Sequence, residues 1–255
     1  MWLAIDIGNT NVHPGMFEGG VLLSTCAIRV ESPSTIQTQL AAFLNAFDLS
    51  QTYDVIISSV NPKAESCVFE CIQRHTLTKP KLIGKDIPIP IAVLTDYPDK
   101  VGTDRLANAV GAYERTHNWT VIVDSGTAIT IDAINDKGAF LGGIIAPGME
   151  LSSRALHHYT ALLPEVSARK PGKILGTNTE DAIRTGIYWG TIGMTSTLIR
   201  LLCEEIGHKP AVVATGGSAS LLAKDIPLID AVIPQLTLEG IKGIYKTTAA
   251  SAAKY

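Results

Sequence analysis

Two segments of the chain carry the same pattern, an apolar run that ends in Asp-x-Gly-x, then a turn and a second apolar run. The first, "AIDIGNTNV", contains Asp6, and the second, "VIVDSGTAITI", contains Asp124, 118 positions later. A third apolar run follows each copy, after "EGG" in the first and after "NDKG" in the second. Short connections make neighbouring strands antiparallel, so each copy predicts a three-stranded meander. The repeat therefore predicts a duplicated fold.

Helical and strand patterns alternate after each predicted meander. Strands are predicted at Trp2–Asp6, Val12–Phe17, Val21–Val30, 53–60, the three runs of the second copy, and 211–217. Helices are predicted at Ser34–Phe47, Cys67–His75, 104–116, Met149–Tyr159, Thr179–Ile206 and from Leu238 onward. The sequence thus predicts two α/β halves, 1–115 and 116–255, each with a mixed sheet and flanking helices.

Charge and composition exclude several classes of protein. The formal net charge is -3 and no basic stripe occurs, so we expect no nucleic-acid partner. The apolar runs are too short to cross a bilayer and the first residues lack a signal-peptide pattern, which predicts a cytoplasmic protein without a membrane partner. Four cysteines include no Cys-x-x-Cys pair, and no histidine pattern predicts a zinc site.

The first Asp-x-Gly turn suits a phosphate group. Backbone N–H groups and the Thr10 hydroxyl can surround phosphate oxygens without any lysine, and Gly8 allows close approach of the backbone. Asp6 would repel bare phosphate, so we expect it to face Mg²⁺, directly or through water; the alternative is that it caps the turn. The residues predicted to bind the phosphates of ATP here are Asp6, Ile7, Gly8, Asn9, Thr10, Asn11, Val12 and His13.

The second turn and a late glycine pair complete the predicted nucleotide site. Gly126 and the hydroxyl of Thr127 can hold phosphate in the same way as the first turn. Gly216 and Gly217 follow a predicted strand, where a backbone without side chains could lie against adenosine. An ordinary strand-to-helix turn explains the glycine pair equally well.

Transfer of a phosphoryl group to a hydroxyl also requires a carboxylate that accepts the hydroxyl proton. Asp104 is our candidate for this base; the alternative is a helix N-cap without a chemical role. Arg105 beside it is able to grip a substrate carboxylate with two hydrogen bonds.

These motifs carry a family resemblance. The repeated Asp-x-Gly-x-Thr hairpins and the late "TGG" resemble the superfamily of acetate kinase, sugar kinases, Hsp70 and actin. "DIGNTN", "GTDRLANAVGAYE", "VDSGTAITID", "GGIIAPGM", "NTEDAIRTG" and "TGG", in this order, resemble the type III pantothenate kinases over essentially the whole chain. "GTDRLANAV" is the discriminating motif, because the hairpins are common to the superfamily.

The resemblance implies a duplicated actin-like (ribonuclease H-like) fold and ATP-dependent phosphorylation of pantothenate, the first step toward coenzyme A. It implies Mg²⁺ with K⁺ or NH₄⁺ as a second cation at Asp124, and Asp104 as the base. It also implies a homodimer with composite sites. The implied pantothenate contacts are Gly102, Thr103, Asp104, Arg105 and Thr179.

Two departures from the family pattern and two rival functions accompany this interpretation. His13 and Pro14 replace the usual small or apolar residues, which predicts an early bend of the second strand. The usual substrate-contacting tyrosine aligns with Thr95, and the nearest candidate is Tyr97. The rivals are another small-molecule kinase acting on a sugar or acyl group, and an inactive nucleotide-binding regulatory module. No P-loop or dinucleotide fingerprint is present.

A long predicted helix supplies the candidate dimer surface. "NTEDAIRTGIYWGTIGMTSTLIRLL" carries an apolar stripe at helical spacing, and Tyr188 and Trp189 beside it predict interface anchors. Packing of the stripe within the second half is the alternative.

Overall fold

The computed structural model describes residues 1–52 and 54–252 and contains two mixed β-sheets. Their similarity confirms the fold that the repeated motif predicts. The strands are β1 Trp2–Ile7, β2 Asn11–Glu18, β3 Val21–Thr25, β4 Ile28–Arg29, β5 Asp54–Ser59, β6 Lys81–Leu82, β7 Thr120–Ser125, β8 Ala128–Ile134, β9 Phe140–Pro147, β10 Ala211–Thr215 and β11 Ala231–Val232.

Both sheets are built in the same way around their first strand. In the first sheet the order is β3-β2-β1-β5-β6, with β4 pairing beside β2. Strands β1, β2 and β3 are antiparallel neighbours, whereas β5 runs parallel to β1 and β6 parallel to β5. In the second sheet the order is β11-β10-β7-β8-β9, again with an antiparallel meander followed by parallel strands. Asp6 and Asp124 are each the fifth residue of the six-residue first strand.

Seven α-helices occur in the described part of the chain. Three of them are preceded by an N-cap residue, Ser32, Asn61 or Asn178, whose side chain accepts a backbone N–H of the first turn. The helices are α1 Pro33–Leu44, α2 Pro62–His75, α3 Thr103–Thr116, α4 Met149–His158, α5 Thr179–Ile206, α6 Ala219–Leu222 and α7 Leu236–Ala252. None of the helices described is long and apolar enough to span a membrane.

The chain forms two compact units, and the last helix belongs to the first of them. Met1–Arg115 and α7 form one unit, and Thr116–Gln235 form the other. Helices α3 and α7 pack so closely that a Cβ on Gly240 would overlap the carbonyl group of Ala107. The Arg115 guanidinium donates two hydrogen bonds of 2.6 Å to Glu239. The boundary between the units lies at 115/116, and the chain returns to the first unit at residue 236.

Two sequence-based expectations fail around the first meander. The expected strand Val21–Val30 is divided into β3 and β4, and β2 continues through His13 and Pro14 instead of bending there. The two differences are related, because β3 pairs with β2 from Gly15 onward and β4 pairs with Asn11 and Val12. The outer neighbour of β2 is thus interrupted beside Pro14, where a missing N–H is tolerated. The predicted strand 53–60 is observed as β5, and Tyr53 lies outside the described residues.

Candidate active site

The turn between β1 and β2 is the first candidate phosphate site. Its backbone closes through Gly8 N–H, which donates to Asn11 C=O at 2.9 Å. A Cβ on Gly8 would stand 3.2 Å from that carbonyl oxygen, so any larger residue would require the turn to shift slightly. Asn9 is exposed, and Gly8 and Thr10 are partly exposed. The turn is therefore accessible to a ligand.

Asp6 and His13 lie opposite each other in the β1–β2 ladder. Directly opposed residues of an antiparallel pair project to the same face of the sheet. Burial lowers the pKa of the His13 imidazole, although a hydrogen bond with the backbone of Cys26 acts in the opposite direction. A neutral imidazole thus accompanies the Asp6 carboxylate, and His13 adds no positive charge for phosphate.

The second turn, between β7 and β8, repeats the first in the other unit. Gly126 N–H donates to Ala128 C=O at 3.0 Å, and Gly126 is exposed. Gly148, just before α4, lies against this turn because its N–H donates to Thr127 C=O at 3.0 Å. A Cβ on Gly148 would overlap the carbonyl oxygens of Gly126 and Thr127. The close approach of these backbones explains Gly148 in "APGM", directly after β9.

The "TGG" segment lies directly beside Asp124. A Cβ on Gly216 would overlap Oδ1 of Asp124 and the Ser125 carbonyl oxygen, and the φ of Gly216 is +89°, which favours glycine. Ser218 N–H donates to the same Ser125 carbonyl at 3.1 Å. A carboxylate oxygen and a carbonyl oxygen therefore converge on one point next to Gly216.

Asp104 is the second residue of α3, so it does not act as the N-cap. Its Oδ1 accepts the Arg105 backbone N–H at 2.8 Å, and the same oxygen lies where a Cβ on Gly102 would stand. Desolvation raises the pKa of the Asp104 carboxyl group, partly offset by this hydrogen bond and by the charge of Arg105. A carboxylate with a raised pKa is better matched to proton transfer near neutral pH than an ordinary aspartate.

The other predicted substrate contacts are distributed over both units. Gly102, Thr103, Asp104 and Arg105 lie together at the start of α3. Thr179 is exposed at the start of α5 in the second unit. Tyr97 is 67% exposed, and the Lys100 ammonium covers its ring at 4.7 Å from the centroid.

Sequence reasoning missed the residues that join α3 to the first sheet. Ser58 and Ser59 at the end of β5 contact the Thr103 hydroxyl. Asn61 caps α2 through its Oδ1, and its Nδ2 donates to the Gly8 carbonyl at 3.4 Å. Polar residues at the end of an otherwise apolar strand, "VIISSVN", were the available signal.

The donor chemistry of the two aspartates fits hard cations. In the described residues no group of three or more His, Cys, Asp or Glu side chains could hold a metal ion. Mg²⁺ does not need such a cage in a kinase, because it keeps water and binds substrate phosphates with one or two carboxylates. Asp6 can supply one carboxylate. Carbonyl and carboxylate oxygens of the kind found beside Gly216 are typical ligands of K⁺.

An apolar groove of about 1130 Å³ lies between α4 and α5 in the second unit. Leu156 and Tyr159 of α4, Gly186 and Gly190 of α5, and Thr179 line it. A Cβ on either glycine would meet nothing within 4 Å. The groove is thus an open, mostly apolar surface that includes a predicted substrate contact.

The prediction that Tyr188 anchors an interface is wrong. Tyr188 is 1% exposed, and its hydroxyl donates to Asp225 within the second unit. Trp189 also packs against the core of that unit and stands edge-on to Tyr188. Helical spacing alone did not distinguish the face toward the sheet from the exposed face, which carries Gly186 and Gly190.

Each of the two mixed sheets begins with an antiparallel meander, and a glycine turn follows Asp6 in the first and Asp124 in the second. This architecture defines the class of protein, an actin-like fold of the sugar and acetate kinase superfamily. A putative N-acetylmannosamine kinase from Listeria monocytogenes shares this fold, with a TM-score of 0.54 and 13% identity over 97% of this chain and 99% of that one.

The family follows from sequence. The type III pantothenate kinase family model matches residues 2–201. The Acidobacterium capsulatum type III pantothenate kinase is 41% identical over 79% of this chain and 74% of its own length. The Myxococcus xanthus enzyme of the same name is 38% identical over 98% of this chain and 100% of its own length. The chain belongs to the type III pantothenate kinase family.

Proposed function

We propose that this chain transfers the γ-phosphate of ATP to the hydroxyl of pantothenate that yields 4'-phosphopantothenate, the first step of coenzyme A synthesis. The observation that carries the proposal is the position of Asp104. A partly buried carboxylate with a raised pKa stands beside Arg105 in the unit that also contains the first phosphate turn. The family's printed name supports pantothenate as the acceptor.

Asp104 acts as the general base in this proposal. The pantothenate hydroxyl attacks the γ-phosphorus, its proton passes to the Asp104 carboxylate, and the bond between the γ-phosphorus and the β,γ-bridging oxygen breaks. ADP leaves. Arg105 is adjacent in sequence, and its planar guanidinium is suited to bind the pantothenate carboxylate with two hydrogen bonds. Gly102 and Thr103 shape the same end of α3.

Each glycine turn is suited to bind phosphate groups of ATP. Backbone N–H groups of Asn9 and Thr10 are the donors at the first turn, and that of Thr127 at the second, while the Gly8 and Gly126 N–H groups close the turns through Asn11 C=O and Ala128 C=O. Mg²⁺ would neutralise charge that develops on the phosphate oxygens, and Asp6 would hold it directly or through water. Asp124 would hold K⁺ or NH₄⁺ together with the Ser125 carbonyl, next to Gly216, and the adenosine would lie along Gly216 and Gly217.

A second copy of the chain occupies the groove between α4 and α5 in this proposal. The glycines of α5 leave space in which a partner helix can approach the backbone closely, and the apolar lining supports burial. Thr179 lies in the same groove, so a partner seated there would meet a predicted substrate contact. The composite site would then combine Thr179 of one copy with Asp104 and Arg105 of the other.

Complementation tests the composite site. Asp104→Asn and Thr179→Ala proteins should each have low activity, and a mixture should regain part of it once the chains exchange. Gly190→Leu should fill the groove and yield monomers by light scattering, whereas Gly172→Leu, at an open position outside the groove, should remain dimeric. An active monomeric wild-type protein would contradict the dimer.

A substrate panel tests the function itself. ADP formation should be measured with ATP, Mg²⁺, K⁺ and, in turn, pantothenate, a set of hexoses and acetate. Turnover with pantothenate alone is expected, and it should disappear in Asp104→Asn. Turnover with a sugar or acetate alone would identify another small-molecule kinase, and ATP binding without any turnover would favour the regulatory module.

The free cysteines support a reducing compartment, and we place this step in the cytoplasm.

A further inference from the structure

The side chain of Thr103 makes a compact set of contacts with the end of β5. Its Oγ1 accepts the Ser59 backbone N–H at 3.2 Å, and it lies 3.2 Å from the Ser59 carbonyl oxygen and 3.1 Å from Ser58 Oγ. One hydroxyl has a single hydrogen to donate and two lone pairs. These neighbours therefore use its donor and most of its acceptor capacity, which leaves little for a bound substrate.

The partners of Thr103 are adjacent to the first phosphate turn. In the parallel pairing of β1 with β5, Ser58 is opposite Asp6 and Ser59 is opposite Ile7. Val60 N–H also donates to the Ile7 carbonyl at 3.0 Å. Ser58 is completely buried, so this end of β5 is a fixed part of the sheet.

We propose that Thr103 is a positioning residue whose hydroxyl ties the first turn of α3 to the end of β5 and thereby sets where the Asp104 carboxylate stands relative to the first phosphate turn. The inference rests on the proposed function, because it assigns a task to a residue next to the proposed base. It departs from the role of Thr103 as a direct pantothenate contact.

The physical reason for such a tether is the sensitivity of phosphoryl transfer to geometry. The base and the phosphates are carried by different elements, α3 and the β1–β2 turn, whose relative position depends on what joins them. A displacement of about 1 Å at a reacting group can cost on the order of 10²-fold in rate. Hydrogen bonds between Thr103 and a buried strand end limit that displacement.

Three substitutions separate this role from a substrate contact. Thr103→Val keeps the shape and removes the hydroxyl, and Thr103→Ser keeps the hydroxyl. Thr116→Val is the matched control, because Thr116 is the last residue of the same helix and its hydroxyl also makes local hydrogen bonds. We expect kcat of Thr103→Val to fall by roughly 10- to 10²-fold with KM for pantothenate within about threefold of wild type. Thr103→Ser and Thr116→Val should keep kcat within about threefold by the same reasoning.

A second measurement does not depend on turnover. The pKa of the Asp104 carboxyl group can be followed by ¹³C NMR, with Asp104→Asn used to assign the signal. In wild type the pKa should be raised, with Arg105 as the charged group that opposes the effect of burial. In Thr103→Val it should move back toward an ordinary aspartate, because a loosened helix start admits water.

The outcomes are distinct. The positioning role is overturned if Thr103→Val has an unchanged kcat, or if a higher KM for pantothenate is its only change. It is also overturned if the pKa of Asp104 is the same in wild type and Thr103→Val. Failure of Thr103→Ser to retain kcat also overturns it. If wild type does not phosphorylate pantothenate, the proposed function fails, while the pKa comparison still supports or overturns the tether.

Discussion

Gly102→Ala is the most informative single substitution in the site. Gly102 immediately precedes α3, and Oδ1 of Asp104 occupies the place where the new Cβ would stand. Val60 Cγ1 is a further neighbour of that position at 3.4 Å. The φ of Gly102 lies outside the left-handed region, so alanine can adopt the same backbone conformation. The conflict therefore falls on the Asp104 carboxylate, the mobile end of its side chain.

The structure predicts a large effect on rate and a small effect on stability. The carboxylate has to rotate away from the Arg105 N–H that it accepts at 2.8 Å. A hydrogen bond to a charged group contributes about 1.5–3 kcal/mol. Release of the carboxylate from a site whose burial raises its pKa offsets that loss. A base moved by about 1 Å should lower kcat on the order of 10²-fold.

Steady-state kinetics and thermal unfolding test this expectation together. Gly172→Ala is the control, because its Cβ would meet nothing within 4 Å. We expect Gly102→Ala to unfold within a few degrees of the control and to lose most of kcat. Wild-type kcat in Gly102→Ala would refute the placement of the base, and a collapse of the melting temperature would show that the backbone, not the carboxylate, gives way.

The remaining predictions concern charge and the second turn. Asp104→Asn should lower kcat by about 10² to 10⁴-fold. It should also raise the melting temperature at neutral pH, because a carboxyl group with a raised pKa stabilises the fold only when protonated, at low pH. For the same reason the acid limb of kcat/KM should lie above the pKa of an ordinary aspartate. Activity should require K⁺ or NH₄⁺, and equal rates in Na⁺ alone would remove that role from Asp124. Gly216→Ala should weaken ATP binding in calorimetry and destabilise the fold by at least about 1–2 kcal/mol, since the φ of Gly216 is +89° and the new Cβ would overlap Asp124 and Ser125; wild-type affinity would argue against this contact.

The repeated meander was predictable because its signals are local. Apolar runs, Asp-x-Gly turns and glycine-rich connections predict the paired strands of both meanders without long-range information. The split of Val21–Val30 was not predictable in this way. It depends on the pairing of β2 with two separate strands beside Pro14, and only the folded sheet contains that pairing.

Side-chain roles were less accessible than the elements that carry them. The sequence placed Asp104 near a helix start, but the contact with Gly102 and the partial burial depend on the folded loop. Tyr188 appeared as an interface anchor because helical spacing does not reveal which face meets the sheet. The Thr103 hydroxyl gave no local signal of this role, since its partners lie at the polar end of β5, more than forty positions earlier.

The most direct test of the account is the identity of the phosphorylated product. Wild type and Asp104→Asn should be incubated with ATP, Mg²⁺, K⁺ and pantothenate, and the products followed by ³¹P NMR and mass spectrometry. The account predicts a new phosphomonoester on pantothenate with wild type and almost none with Asp104→Asn, although both proteins bind ATP equally well. No phosphorylated pantothenate with wild type, or equal amounts with both proteins, would contradict it.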